Sequence, residues 1–405
     1  MRTRYGVSPW IYQFPDSRRP EFPRAKEDAA VDVVIVGAGL TGCATAYACA
    51  MAGLRPVVVE ASRVGQGSSG RAAGLLLPDP GPSFRDIVQA HGLRAARTAF
   101  QSWRRASLDA AALLRRLGIK CALEPQDALI VGARDDEKAL RRELAARSEA
   151  GLDATFLSRN QLTSTMAIDG AGAIKMRDAF GLDSYRACVG LAAAAVKRGA
   201  RIFERTPVKK TRAGRKHVEV ITASATFTTP TVVVTTGMAT MEFRQLRRHF
   251  ARGEAYLVMT EPMPAHMRKA IGARTATIAD THAPRRRIRF TSDNRIIVGG
   301  ADQEETPARK RDAVLVQRTG QLMYELLTIY PAISGLQPEF GWEMSYGQTA
   351  DGLPYIGPHR NFPRHLFALG SGGDSVTGAF LAARIIVRHL QESAEKADDV
   401  FSWTR

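Results

Sequence analysis

The sequence has few cysteines and no long apolar segment, and both absences exclude classes of protein. Its four cysteines, Cys43, Cys49, Cys121 and Cys188, have the spacing of neither a zinc site nor a disulfide framework. We therefore expect four small buried thiols. No apolar run approaches the roughly 18 residues that a membrane span needs. The polar N-terminal stretch lacks the apolar core of a signal peptide, so a cytoplasmic location is the default expectation.

Acidic residues are scarce relative to basic ones, which gives the chain of 405 residues a net charge of +17. The basic residues come as scattered pairs such as Arg104-Arg105 and Arg247-Arg248, without a nucleic-acid-binding motif. Scattered pairs are typical of solvated faces, so we expect no nucleic-acid partner, while an anionic substrate remains compatible with the charge. The length alone suggests two or three domains' worth of material, and the hydrophobic content of 45% suffices for a sizeable core.

The pattern near the N-terminus predicts a β-α-β unit. A Val- and Ile-rich run at residues 31–36 predicts a parallel strand buried on both faces. An Ala-rich, helix-prone stretch follows at 41–52, and a second apolar run follows at 56–60. The turn between the first strand and the helix consists of Gly37, Ala38, Gly39, Leu40, Thr41 and Gly42.

Each glycine of this turn has a physical role in binding a dinucleotide. Gly37 permits the tight bend, Gly39 lets a diphosphate approach the backbone, and Gly42 lets the helix pack closely on the strand. The diphosphate then lies at the helix N-terminus, where free N–H groups favour negative charge. Glu60 ends the second strand and can accept hydrogen bonds from ribose hydroxyls.

Two further segments favour FAD over NAD. A stretch of small residues at 65–75 can pass beside the cofactor, with Ser hydroxyls and backbone N–H groups free to bind oxygen atoms. A second glycine turn at 370–378 opens a C-terminal helix, whose N-terminus can stabilise negative charge on a flavin as it is reduced. The cofactor-binding positions predicted here are Ala61, directly after Glu60, and, in the first segment, Gly67, Ser68, Ser69, Gly70, Arg71, Ala72, Gly74 and Leu75.

The order of predicted strands and helices indicates an α/β fold: a Rossmann-like FAD-binding domain, discontinuous in sequence, with an inserted β-rich α+β substrate domain. Asp293-Asn294 is expected to form a hairpin turn in the inserted part. The predicted divisions are an irregular lead-in at 1–30, the FAD-binding domain at 31–85, 150–244 and 346–392, the substrate domain at 86–149 and 245–345, and a tail at 393–405.

The glycine turn with Glu60, the Ser-Gly-Arg segment, and residues 351–358 with the C-terminal glycine turn together resemble the D-amino-acid oxidase superfamily of FAD-dependent oxidoreductases. The resemblance covers nearly the whole chain. It implies that Gly37, Gly39, Thr41, Gly42 and Glu60 hold the ADP half, and that Ser68, Ser69, Arg71 and Ala72 line the diphosphate and flavin. The other cofactor-binding positions that it implies are Val208, Gly237, Gly357, Gly372, Gly373, Asp374, Ser375, Val376 and Thr377.

Departures from the superfamily pattern bear on the flavin linkage and on the substrate. Some relatives attach the flavin to a His where Arg71 stands here, and others use a Cys in the C-terminal half, where this chain has none after Cys188. The resemblance therefore predicts non-covalent FAD. Relatives that oxidise amino acids often carry a carboxylate-binding Arg shortly after the position of Trp342, where this chain has Glu-Met-Ser-Tyr-Gly at 343–347.

Several residues are candidates for substrate contact. Arg286, Arg287 or Arg289 could bind a carboxylate through the guanidinium fork, although a solvated basic strand edge is the alternative. Asp374 could bind a cationic amine or cap the terminal helix. The candidate set is Tyr256, His282, Arg287, Tyr346 and Asp374. Tyr256 and His282 fit equally well as hydrogen-bonded residues of a sheet.

The activity that the resemblance implies is oxidation of the C–N bond of an amine or amino acid, by hydride transfer to flavin N5. Oxygen or an electron carrier would reoxidise the flavin. Two alternatives keep FAD: a dehydrogenase of a hydroxy acid or polyol phosphate, and a non-catalytic flavoprotein or subunit of a larger dehydrogenase. No metal site is predicted.

Overall fold

The computed structural model describes residues 2–282, 284–373 and 376–405. The strands are β1 Arg4–Tyr5, β2 Ala29–Ala30, β3 Val33–Val36, β4 Pro56–Val59, β5 Leu75–Leu76, β6 Glu124–Val131, β7 Thr155–Ser158, β8 Gly172–Gly181, β9 Arg201–Phe203, β10 Lys210–Ala213, β11 Val218–Ile221, β12 Thr226–Thr229, β13 Thr231–Gly237, β14 Ala251–Thr260, β15 Ala276–Asp280, β16 Arg287–Phe290, β17 Ile296–Glu304, β18 Pro338–Gln348, β19 Tyr355–His359 and β20 Phe362–Leu369. The helices are α1 Pro9–Tyr12, α2 Leu40–Met51, α3 Phe84–His91, α4 Leu93–Arg116, α5 Glu137–Glu149, α6 Arg159–Met166, α7 Ser184–Lys197, α8 Ala265–Ala270, α9 Arg311–Ile329 and α10 Thr377–Leu390.

The predicted β-α-β unit lies at the centre of a sheet with the strand order β19-β20-β13-β3-β4-β9. Strands β20, β13, β3, β4 and β9 run parallel, and β19 pairs with β20 antiparallel. All four residues of β3 are buried, as its unbroken Val and Ile run predicts for a parallel strand covered on both faces. Helices α2, α7 and α10 contribute to the core on one face. The other face packs against a small sheet with the order β10-β11-β12-β2.

A second, larger sheet has the order β1-β18-β14-β17-β16-β15-β6-β8-β5, with β7 paired to β8. Most neighbouring strands are antiparallel. One face packs on α9, and the opposite face contributes Leu257, Trp342 and Met344 to the core shared with α2 and α10. The α/β fold class with a β-rich second part is thereby confirmed. Strands β5 and β8 extend this sheet from segments that we assigned to the FAD-binding domain, so the exact domain boundaries stay a prediction.

The N-terminal segment is more ordered than the irregular lead-in that we expected. Strand β1 pairs with β18, β2 pairs with β12, and Trp10 of α1 is only 7% exposed. Strands of two residues carry no readable periodicity, and their partners lie some 200 to 340 residues away in sequence, so local patterns could not reveal them.

The expectations for the cysteines and for the hairpin turn are confirmed. The four cysteines are free and buried. The hairpin turn lies between β16 and β17, where Asn294 has a φ of +64° and its N–H donates to Thr291 O. Across the described ranges, no helix combines the length and hydropathy needed to cross a membrane. The same residues contain no group of His, Cys, Asp and Glu side chains that could hold a metal ion.

Candidate active site

The first glycine turn is a rigid backbone cradle at the end of β3. Gly37 has a φ of +102°, which favours glycine, and its N–H donates to Val59 O at 2.9 Å. A Cβ on Gly42 would lie 1.9 Å from Gly37 O, so no side chain fits there. The Thr235 hydroxyl lies 2.9 Å from Val36 O and 3.0 Å from Gly37 O, to which it can donate, and so ties β13 to the turn.

The N-terminus of α2 faces a cavity beside this turn. The first N–H groups of a helix have no partner within the helix and carry partial positive charge, which attracts a diphosphate. Gly39, Leu40 and Thr41 all line the cavity. Leu40 N–H donates to the Ser69 hydroxyl at 2.8 Å, which joins the helix to the segment at 65–75. A Cβ on Gly39 would lie 3.1 Å from the same oxygen, so glycine keeps this approach open.

Glu60 is positioned by two backbone donors. Its Oε2 accepts the Ala38 N–H at 2.7 Å, and its Oε1 accepts the Ser62 N–H at 2.8 Å. A carboxylate oxygen offers more than one lone pair, so both atoms can still accept hydrogen bonds from ribose hydroxyls. Glu60 lines the cavity, in agreement with this role.

The cavity has a volume of about 500 Å³ and lies between the parallel sheet and the large sheet. Among the predicted cofactor-binding residues, those that line it are Gly37, Gly39, Leu40, Thr41, Glu60, Ala61, Gly67, Ser68, Ser69, Ala72, Val208, Gly237, Gly372, Gly373 and Val376. Those that border the lining residues in sequence are Ala38, Gly42, Gly70, Arg71 and Thr377, whereas Gly74 and Leu75 lie two and three residues past the cavity-lining Ala72. Gly357 lies apart on β19, where a Cβ would meet the His389 ring at 3.1 Å. Asp374 and Ser375 fall outside the described residues.

The Ser-Gly-Arg segment docks along the edge of β18. The Ser68 hydroxyl donates to Ser345 O at 2.8 Å. Arg71 Nη1 donates to Glu343 O at 3.1 Å and pairs with Glu343 Oε1 at 2.9 Å. The Arg71 guanidinium therefore fixes the segment to the large sheet.

The C-terminal glycine turn connects both sheets. Gly370 N–H donates to Gly237 O at 3.0 Å, and Gly372 N–H donates to Gly347 O at 3.1 Å. Past the turn, Val376 N–H donates to Leu75 O at 2.8 Å. These bonds hold the N-terminus of α10 against the segment at 65–75, where a flavin ring would be enclosed from two sides.

Tyr346 and Met344 form the wall opposite this turn. Both line the cavity, and a Cβ on Gly373 would lie 3.0 Å from the Tyr346 ring and 3.2 Å from Met344 Cε. The Tyr346 hydroxyl donates to Asp302 Oδ2 at 2.6 Å. Met344 was missed by sequence reasoning. The alternation of a strand places Trp342, Met344 and Tyr346 on one face and was the signal that could have found it.

Among the substrate-contact candidates, Tyr256, His282 and Arg287 are not cavity-lining residues, and the first two are bonded elsewhere. Tyr256 is 1% exposed and pairs with Glu343, so it lies on the opposite face of the sheet from Tyr346. Its hydroxyl donates to Glu254 at 2.8 Å, and burial raises its pKa to about 12. His282 follows β15 and pairs with Asp280 at 3.2 Å, while half of its side chain is exposed. Both Tyr256 and His282 therefore fit better as hydrogen-bonded residues of the sheet region than as substrate contacts.

The three arginines of the neighbouring strand differ in position. Arg286 pairs with Asp280. Arg289 is 3% exposed and donates to backbone carbonyls, and burial lowers its pKa to about 10. Both guanidinium groups are therefore engaged within the protein. Arg287 lies on the same face of the large sheet as Tyr346, as the register of β16, β17 and β14 shows.

A family model described as FAD dependent oxidoreductase (DAO) matches residues 32–389. The chain belongs to this family. Among curated proteins it is 26% identical to gamma-glutamylputrescine oxidoreductase of Escherichia coli, covering 93% of this chain and 87% of the relative. It is 26% identical to glycine oxidase of Bacillus subtilis, covering 89% and 94%. The solved structure of glycine oxidase from Geobacillus kaustophilus matches with a TM-score of 0.77 at 21% identity, covering 93% and 99%.

The family membership confirms that this chain is an FAD-dependent oxidoreductase, as the motifs predicted. The residues present fit the cofactor. The cradle at Gly42 admits no side chain, the start of α2 provides backbone donors for the diphosphate, and Glu60 faces the cavity. The individual cofactor contacts remain predictions for this chain.

Proposed function

We propose that the protein oxidises the C–N bond of an amine or amino acid. The observation that carries this proposal is the pair formed by Tyr346 and Asp302 at the wall facing the C-terminal glycine turn. Because the hydroxyl gives its proton to Asp302, its oxygen can accept an N–H from a substrate amine. The negative charge of Asp302 behind it favours a cationic or polar nitrogen at this position.

The chain's own residues have to position the substrate and exclude water. Met344 presents an apolar side chain beside Tyr346, which desolvates the carbon next to the substrate nitrogen. Arg287, on the same face, is the candidate partner for a substrate carboxylate. When bound, FAD supplies the two-electron oxidant at N5, and no strong general base is required of the protein.

The named activities of several relatives support this proposal. They include glycine oxidase, gamma-glutamylputrescine oxidoreductase and, among solved structures, L-amino acid deaminase of Proteus myxofaciens, which matches with a TM-score of 0.76. A glycerol-3-phosphate dehydrogenase subunit of Haloferax volcanii is also similar, but the match covers only 42% of this chain. Among these curated relatives, the matches that span most of the chain therefore favour the amine substrate class over a polyol phosphate.

The test is a panel of reductants added anaerobically to the purified holoprotein. We expect amines or amino acids to bleach the flavin absorbance and hydroxy acids to leave it unchanged. Bleaching by hydroxy acids alone would contradict the proposal, and bleaching by no substrate class would indicate a non-catalytic flavoprotein. Readmission of air or addition of a dye then shows whether oxygen or a carrier accepts the electrons.

A further inference from the structure

Five consecutive backbone carbonyls in the segment beside the flavin site accept hydrogen bonds from side chains. The donors come from the N-terminal segment, β16 and β18, and each lies far from the acceptor in sequence. The pairs are Ser8 Oγ with Gly70 O, Trp342 Nε1 with Arg71 O at 2.7 Å, Trp10 Nε1 with Ala72 O at 2.8 Å, and Arg289 Nη1 with Ala73 O at 2.7 Å and Gly74 O at 2.9 Å.

These donors are shielded from solvent. Ser8 and Trp342 are completely buried, Arg289 is 3% exposed and Trp10 is 7% exposed. The Arg289 guanidinium also lies over the Trp10 ring at 5.5 Å, so two of the donors support each other. Water cannot easily replace a donor at such depth, and a buried carbonyl without a partner is costly.

The carbonyl bonds determine what the segment presents to the cavity. Ala72 lines the cavity. Within the described part of the chain, the N–H groups of Ala72, Ala73 and Gly74 donate to no backbone carbonyl outside the regular helices and strands. Amide N–H groups near a flavin stabilise the electron density that reduction adds to it.

We propose that Ser8, Trp10, Arg289 and Trp342, here called the carbonyl clamp, are positioning residues for FAD. The clamp holds the carbonyls of residues 70–74 away from the cofactor and so keeps the N–H groups of residues 72–74 available to the flavin. The N-terminal segment thereby contributes both to FAD retention and to the reduction potential of the flavin.

The first experiment compares two buried tryptophans. Trp10→Phe removes one donor of the clamp and keeps an aromatic ring. Trp103→Phe is the matched control, because Trp103 is 1% exposed and its Nε1 has no partner among the described residues. FAD affinity is measured by titrating the apoprotein, and the flavin midpoint potential is measured on the holoprotein. We expect Trp10→Phe to weaken FAD binding by roughly tenfold and to make the potential more negative.

The control is expected to change neither quantity, whatever its effect on the melting temperature. Equal effects of Trp10→Phe and Trp103→Phe, or an unchanged affinity and potential in Trp10→Phe, would overturn the proposal. Should Trp10→Phe fail to fold, Ser8→Ala removes another donor with little change in volume and is expected to shift both quantities in the same direction. Neither readout depends on turnover, so failure here is distinguishable from failure of the amine activity.

A second comparison separates hydrogen bonding from packing at Arg289. Arg289→Lys keeps the charge and some donor capacity, whereas Arg289→Met keeps only the apolar stem. We expect the lysine variant to recover part of the potential that the methionine variant loses. Identical potentials in the two variants would contradict a positioning role for this side chain.

Discussion

At the Glu60 end of the cavity, the groups placed to meet a cofactor are mostly main-chain atoms and glycines of one β-α-β unit. At the Tyr346 end, they are side chains from strands that are distant in sequence. The geometry of the Glu60 end therefore depends on backbone conformations and close approaches that only glycine allows. The geometry of the Tyr346 end depends on which face of the sheet each side chain occupies. Under the proposed function, the cofactor and the substrate are recognised by parts of the chain with different tolerance to change.

The largest effect is expected at Gly42. Gly42→Ala puts a Cβ 1.9 Å from Gly37 O, so the turn must open and the cradle for the diphosphate is lost. We expect a protein that purifies without flavin and cannot be reconstituted. Gly320→Ala is the control, because Gly320 lies within α9 with nothing within 4 Å of its added Cβ. A Gly42→Ala protein with a full complement of FAD would show that the backbone account of this end is wrong.

A second prediction uses two tyrosines on opposite faces of the large sheet. Tyr346→Phe removes the hydroxyl at the substrate wall, and we expect kcat/KM for amines to fall roughly 10- to 100-fold, with FAD affinity unchanged. Tyr256→Phe makes the same chemical change at a buried site where the hydroxyl donates to Glu254. We expect it to lower the free energy of unfolding by about 1–3 kcal/mol and to leave kcat/KM unchanged. If Tyr256→Phe lowered kcat/KM and Tyr346→Phe lowered only the free energy of unfolding, the substrate would contact the Tyr256 face of the sheet instead.

A smaller effect concerns the C-terminal tail, whose Arg405 pairs with Asp351; neither residue lines the cavity. Arg405 bonds both oxygens of Asp351, at 2.7 Å and 2.9 Å. Burial alone raises the pKa of Asp351, but its hydrogen bonds and the charge of Arg405 lower it to about 2, from an ordinary value of 3.8. A carboxyl pKa lowered by folding stabilises the protein above pH 4, and this contribution is lost as the pH falls from 4 to 2.

We therefore expect Asp351→Asn to lower the free energy of unfolding at pH 7 by about 2 kcal/mol, and by less as the pH approaches 3. FAD affinity should not change. Asp32→Asn is the control, because Asp32 pairs with Arg55, whose side chain is 77% exposed, and such surface pairs contribute about 0–1 kcal/mol. Denaturant unfolding at several pH values measures both variants. If Asp351→Asn lowered the free energy of unfolding by the same amount at pH 7 and at pH 3, the ion pair would not be the source of the stability.

The last prediction is that FAD is bound non-covalently and is released intact when the protein is denatured. Arg71 occupies the position at which some relatives carry a flavin-linked His, and it is engaged by Glu343. Acid precipitation should leave the yellow colour in the supernatant. Colour retained in the protein pellet would show a covalent linkage.

The Glu60 end of the site could be predicted from the sequence, because its motif residues lie close together in the chain. Residues 37–60 contain the turn, the helix and the acid in one uninterrupted unit, and the structure places them around the cavity. For Tyr256 the sequence left two roles open, substrate contact or a hydrogen-bonded residue of the sheet, because nothing local indicates which side of an inserted sheet meets the cofactor. Trp10 and Arg289 were missed as neighbours of the flavin segment for a related reason: their partners at residues 72–74 are separated from them by about 60 and 215 residues.

The proposed activity requires that the chain place the carbon beside a substrate nitrogen against the flavin. Its most direct test is the rate of anaerobic flavin bleaching by an active amine, measured with hydrogen and with deuterium on that carbon. We expect slower bleaching with deuterium, because the C–H bond breaks in the step that reduces the flavin. Bleaching by hydroxy acids instead of amines, or a C–H bond left intact while amines bleach the flavin, would contradict it.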